Sequence, residues 1–172
     1  MSSTEHENSL SYVEKIDVLN AMRNDVLDQS AQEVIRQSGK AGRQEGHKNA
    51  LVELHNSFER AFLEAVGVAL QLHPAQMKKI RYKKDRMRIL GQNGVDYANL
   101  DGTQTAQVLS QIAQAILRED AIVTHDLHNL FPFWKEGWPM VQFDNAYKIL
   151  VEDIHIHYQA LIDALLDAVQ AD

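Results

Sequence analysis

Eight bulky residues near the C-terminus, Phe143, Tyr147, Leu150, Ile154, Tyr158, Leu161, Leu165 and Val169, step by three and four over about seven turns of helix. A stripe that long must be buried along its whole length, so it needs other long helices beside it. A second stripe supplies one: Leu51, Leu54, Phe58, Phe62, Val66, Ala69 and Leu70 predict a helix of about 25 residues. Val108, Ile112 and Ile116 mark a third, starting after Asp101-Gly102, with Thr103 as its expected N-cap. Val13, Ile16, Leu19, Met22, Val26 and Leu27 mark a fourth that ends near Gly39. No bounded run of period-two alternation is present, so the fold class expected is all-α, a bundle of about five helices.

Breaks between helices fall at Ser38–Gly42, His73-Pro74, Gly91–Gly94 and Asp101-Gly102. Pro132 and Pro139 bracket an aromatic connector, Phe133-Trp-Lys-Glu-Gly-Trp138, that is expected to plug one end of the bundle or to form a contact surface. With 172 residues, one domain is expected over 9–172, preceded by a disordered stretch at 1–8. That polar, acidic start has no apolar region of a secretory signal, no apolar run is long enough to span a membrane, and there is no cysteine. A cytoplasmic protein with no membrane partner is expected, and disulfides, thiolate metal sites and cysteine nucleophiles are excluded.

The net charge of −7 conceals a segregation. Residues 78–88 carry +6, leaving −13 elsewhere, and no Lys or Arg follows Lys148. Within that segment Lys78, Lys79, Arg81, Lys83, Lys84, Arg86 and Arg88 could follow a nucleic-acid backbone while Tyr82 stacks on a base. The alternative is a solvated helix face. RNA is therefore one expected partner, at this patch alone.

Arg118 and His125 are the candidate catalytic residues. On one continuous helix a step of seven is about 700°, so the two side chains would lie within roughly 20° of each other. A permanent cation and an imidazole on one face could bind a phosphodiester and move a proton. The competing arrangement has Thr124 capping a new helix at His125-Asp126, which separates them. Histidines also invite a metal reading: His125, His128 and His155 could meet, and Glu152-Asp-Ile-His155 is one Glu-x-x-His step. A di-iron bundle needs two such steps and two further glutamates, so no metal and no other cofactor is expected.

The order of these elements carries a resemblance. The helix containing His55–Glu64, the basic segment ending Arg88-Ile-Leu-Gly-Gln92, the polar linker, Leu117-Arg-Glu-Asp-Ala-Ile-Val-Thr-His125, Asp126-Leu-His-Asn-Leu130 and a long last helix together resemble the HEPN superfamily over about 45–170. The resemblance implies an all-α domain that dimerises and acts as a metal-independent endoribonuclease through an Arg, an adjacent polar residue and a His. It also implies a toxin–antitoxin or phage-defence setting with an antitoxin or regulatory partner. The residue after the arginine, commonly Asn, Asp or His in that family, is Glu119 here. A catalytically lapsed relative is therefore a second outcome. The rival class is a non-enzymatic helical interaction module, such as a regulator, an immunity protein or a complex subunit.

Overall fold

In the computed structural model, which describes residues 10–171, 72% of the residues are helical and no strand is present among them. The expected disorder of 1–8 lies outside the described residues. Eight α-helices follow one another: α1 Tyr12–Met22, α2 Gln29–Ser38, α3 Arg43–Ala69, α4 Pro74–Lys79, α5 Lys83–Gln92, α6 Thr103–Arg118, α7 His125–Leu130 and α8 Phe143–Gln170. A single 3-10 turn, Tyr97–Asn99, precedes α6. The all-α class stands, and the expected count of about five becomes eight among the described residues, because the N-terminal helix is split in two and short helices form at Pro74–Lys79 and His125–Leu130.

The long stripes behave as their period requires. Leu51, Leu54, Phe58, Phe62 and Val66 of α3 are buried, as are all eight stripe residues of α8. The two helices pack on each other, α2 folds back on α3, and α6 lies against both long helices. Fully burying side chains of this size contributes about 1.5–3 kcal/mol each before conformational entropy is set against it. The α3–α8 seam is thus the centre of the core.

The N-terminal helix is broken where one was expected. Ser11 caps α1 by accepting from the Glu14 N–H, and α1 stops at Met22. The chain then turns so that Leu27 is buried while Val26 stays exposed. The Leu27 N–H donates to His155 Nε2 (3.3 Å), a tertiary partner on α8. Where α2 meets α3, Gly46 lies against Ser38 so closely that a Cβ would collide with the serine side chain.

The start of α6 also departs from expectation. The N-cap is Gly102, at φ +77°, and Thr103 is the first helical residue, its hydroxyl donating to the Tyr97 carbonyl (2.6 Å). A Cβ on Gly102 would sit 2.6 Å from His157 Cβ, so glycine here satisfies both the left-handed backbone and the contact with α8.

The segment between α6 and α8 is irregular but tied down. Met140 N–H donates to the Ala121 carbonyl, Val123 N–H to Trp138, and Gly137 N–H to Val123, all at 2.8–2.9 Å. Ile122 and Pro139 form an isolated antiparallel bridge. Trp134 is buried and its indole N–H donates to the Val141 carbonyl (2.8 Å), whereas Phe133 and Trp138 are exposed. One of the connector's three aromatic residues, Trp134, plugs the bundle, and the other two face solvent.

Candidate functional site

Arg118 and His125 do not share a helix face. Arg118 ends α6, Asp120 and Ala121 take left-handed backbone (φ +51° and +58°), and His125 begins α7. Thr124 caps α7 by accepting from the Leu127 N–H (3.2 Å). The two consecutive left-handed residues break the helix between the candidates, so the seven-residue step carries no angular meaning. His125 is instead held by its own neighbours. Its Nδ1 lies 3.1 Å from Glu136 Oε2, and Asn129 Nδ2 lies 3.1 Å from its Nε2. The hydrogen bond and charge of Glu136 raise the His125 pKa above its ordinary value. Both partners are well exposed.

The other two histidines of the metal reading, His128 and His155, are engaged in structure. His128 Nδ1 donates to the Trp134 carbonyl (2.7 Å), and His155 Nδ1 donates to the Val151 carbonyl (2.7 Å) within its own helix. Among the described residues, no three His, Asp or Glu side chains converge as metal ligands, so the arrangement of His125, His128 and His155 with Glu152 is not assembled in this fold.

The basic segment folds as α4, a short turn and the start of α5, and it divides by burial. Lys78, Lys79, Arg81, Lys83 and Lys84 make no ion pair among the described residues, while Arg88 pairs with Asp85 (3.0 Å) one turn earlier. Tyr82, the N-cap residue of α5, is 69% exposed. Arg86 turns the other way. It is buried, its Nε donates to the Ile80 carbonyl (2.8 Å), and its two terminal nitrogens donate to the two oxygens of Glu59 (3.0 and 2.6 Å). Its guanidinium carbon stands 3.8 Å over the Phe62 ring. Arg86 therefore anchors the segment to α3 and is withdrawn from the surface set.

Behind this pair runs a polar chain that the sequence did not reveal. The Tyr97 hydroxyl lies 2.8 Å from His157 Nε2, and His157 Nδ1 lies 2.8 Å from the Asp101 carbonyl. A carbonyl only accepts, so Nδ1 carries the proton and neutral Nε2 accepts from the Tyr97 O–H. Burial pushes the His157 pKa below its ordinary value despite that carbonyl, and burial pushes the Tyr97 phenol up to about 12. His55, one turn before Glu59, is also lowered by burial, and its Nδ1 has no hydrogen-bond partner among the described residues. Tyr97 and His157 stand sixty residues apart in mixed polar stretches, so the sequence carries no usable signal for this chain.

In front of the Arg86–Glu59 pair a cleft of about 200 Å³ opens between the start of α5 and one face of α6. Arg81, Tyr82 and Lys83 lie on one side of it, and Gln107, Ser110 and Gln111 on the other. The surface thus combines unpaired cations, an exposed ring and a small polar cleft within one short stretch of chain. No family model matches the chain, and no curated protein or solved structure matches it.

Proposed function

We propose that this protein is a HEPN-like, catalytically lapsed domain that binds single-stranded RNA through the α4–α5 surface. The observation that carries the reading is the set of five neighbouring cations, Lys78, Lys79, Arg81, Lys83 and Lys84, with no carboxylate partner among the described residues in a chain of net charge −7. A polyanion would displace counterions from them, and exposed Tyr82 supplies a stacking surface. The lapse is supported by α6 ending at Arg118 and by the contacts of His125 with Glu136 and Asn129. No helical face is left to present the arginine and the imidazole together.

The test is fluorescence anisotropy with a labelled single-stranded RNA over a range of salt. Lys83→Gln with Lys84→Gln should flatten the salt dependence of log K by roughly 0.7 for each phosphate that is no longer neutralised. An unchanged slope would remove the patch from the interface. RNA incubated with the protein in EDTA should stay intact. Products ending in 2′,3′-cyclic phosphate that disappear with His125→Ala would restore the catalytic reading.

A second reading, a protein-interaction module, is favoured by the connector, where Trp138 and Phe133 remain 64% and 44% exposed beside exposed Val141. Aromatic side chains of this kind anchor protein interfaces. That reading expects no RNA affinity and a partner whose capture is abolished by Trp138→Ala.

A further inference from the structure

From the chemistry of its walls, we infer that the cleft between α5 and α6 is a pocket for one unstacked nucleobase. The inference rests on the RNA reading only for the strand that carries the base. The volume, about 200 Å³, is below the roughly 300–1,000 Å³ of pockets that enclose drug-sized ligands, and it suits a single base better than a longer segment.

Gln107 and Gln111 stand one helical turn apart on the same face of α6, with Ser110 between them. All three are half-buried, and among the described residues none uses its side chain in a hydrogen bond. Their polar atoms stay open to solvent, so water now on them can be exchanged for the donors and acceptors of a ligand. Each amide offers a donor and an acceptor side by side, which complements the edge of a base.

The charge pattern sets the orientation. The floor is the Arg86–Glu59 pair, whose charges cancel across two direct hydrogen bonds, so it does not draw a phosphate inward. Arg81 and Lys83 at the rim make no ion pair among the described residues and hold the backbone outside. Met87 and Ala106 supply apolar wall for the faces of the base, and Tyr82 lies at the mouth where it can stack. The base enters and the phosphates stay on the rim.

The experiment uses the full chain with labelled octamers of A, C, G and U, an abasic ribose-phosphate octamer of equal length, and the four nucleoside 5′-monophosphates. The abasic strand should bind at least about tenfold more weakly than the best base-bearing one. Gln107→Ala with Gln111→Ala should bring the four octamers to within about twofold of one another and leave the salt slope unchanged. Tyr82→Leu should weaken the base-bearing strands roughly fivefold or more and leave the abasic one alone. Thermal unfolding midpoints would exclude a folding defect in either variant. Equal binding of abasic and base-bearing strands, or base preferences that survive the glutamine substitutions, would overturn the pocket while leaving RNA binding in place. If no strand binds, the RNA reading fails. The pocket then stands on base-dependent binding of a monophosphate that the glutamine variant abolishes, and falls without it.

Discussion

Arg86 and His125 each hold a glutamate, under opposite conditions. Arg86 meets Glu59 through two hydrogen bonds inside the protein, flanked by Phe62 and backed by Tyr97 and His157. His125 meets Glu136 once, at 3.1 Å, on an exposed helix start. In the buried pair desolvation is already spent, so removing one partner strands a charge in a place that water reaches poorly. In the exposed pair water replaces whichever partner is removed. Two ion pairs of similar length thus do different jobs: one fixes the position of a segment and the other adjusts a proton affinity.

The comparison breaks most visibly at Arg86. Arg86→Ala should cost about 3 kcal/mol, near the lower end for a broken buried pair because Glu59 keeps some access to solvent. Chemical denaturation measures it. The double replacement Arg86→Met with Glu59→Leu should recover most of that loss, since no charge is then left alone. A single Arg86→Ala variant as stable as the parent would mean that the pair does not hold α5 to α3.

Acidity sharpens the contrast through its sign. His157 and His55 have folded pKa values below the ordinary 6.5, so the unfolded chain binds their protons first as pH falls. Their contribution to stability is complete above about 6.5 and disappears as pH drops toward the folded values. Urea midpoints should therefore fall between about pH 7.5 and about pH 5.5, and His157→Gln should flatten that dependence. His125 has the reverse sign: its raised pKa favours the folded state below 6.5, and the benefit fades as pH rises through the folded value. At so exposed a site that opposing effect is small.

The smallest effect is expected at Glu136. Glu136→Gln should leave the unfolding midpoint unchanged and lower the His125 pKa in an NMR titration. A midpoint shift of several degrees would show that the connector depends on this pair.

Much of this architecture can be seen in the residues. The stripes of α3 and α8 predict their burial position by position, because a 3.6-residue period and a seam between two long helices impose the same constraint. Thr124 is visible as a cap because its hydroxyl acts within its own turn. The split between α1 and α2 is not visible. Val26 and Leu27 continue the apolar period through it, and the bond that fixes it comes from His155 on α8. The left-handed backbone at Ala121 has no local signature either, since alanine favours helix, and only the pairing of 121–123 with 137–140 holds it there. Within the candidate site, the cations and Tyr82 are legible as a charge run. The inward turn of Arg86 depends on Glu59, 27 residues earlier, and the polar wall depends on α6 lying opposite α5.

The anchoring of Arg86 also bears on the entropy of binding. Lysines on a loose tail lose conformational freedom when a ligand orders them, and that loss is subtracted from affinity. Here the backbone beneath Lys83 and Lys84 is already fixed, because the next residue but one after Lys84 is bolted in place by three hydrogen bonds, two of them to Glu59 on α3. The cationic surface is preorganised, so a bound strand orders side-chain tips and not a stretch of chain. Loosening that anchor would weaken binding without removing a single surface charge.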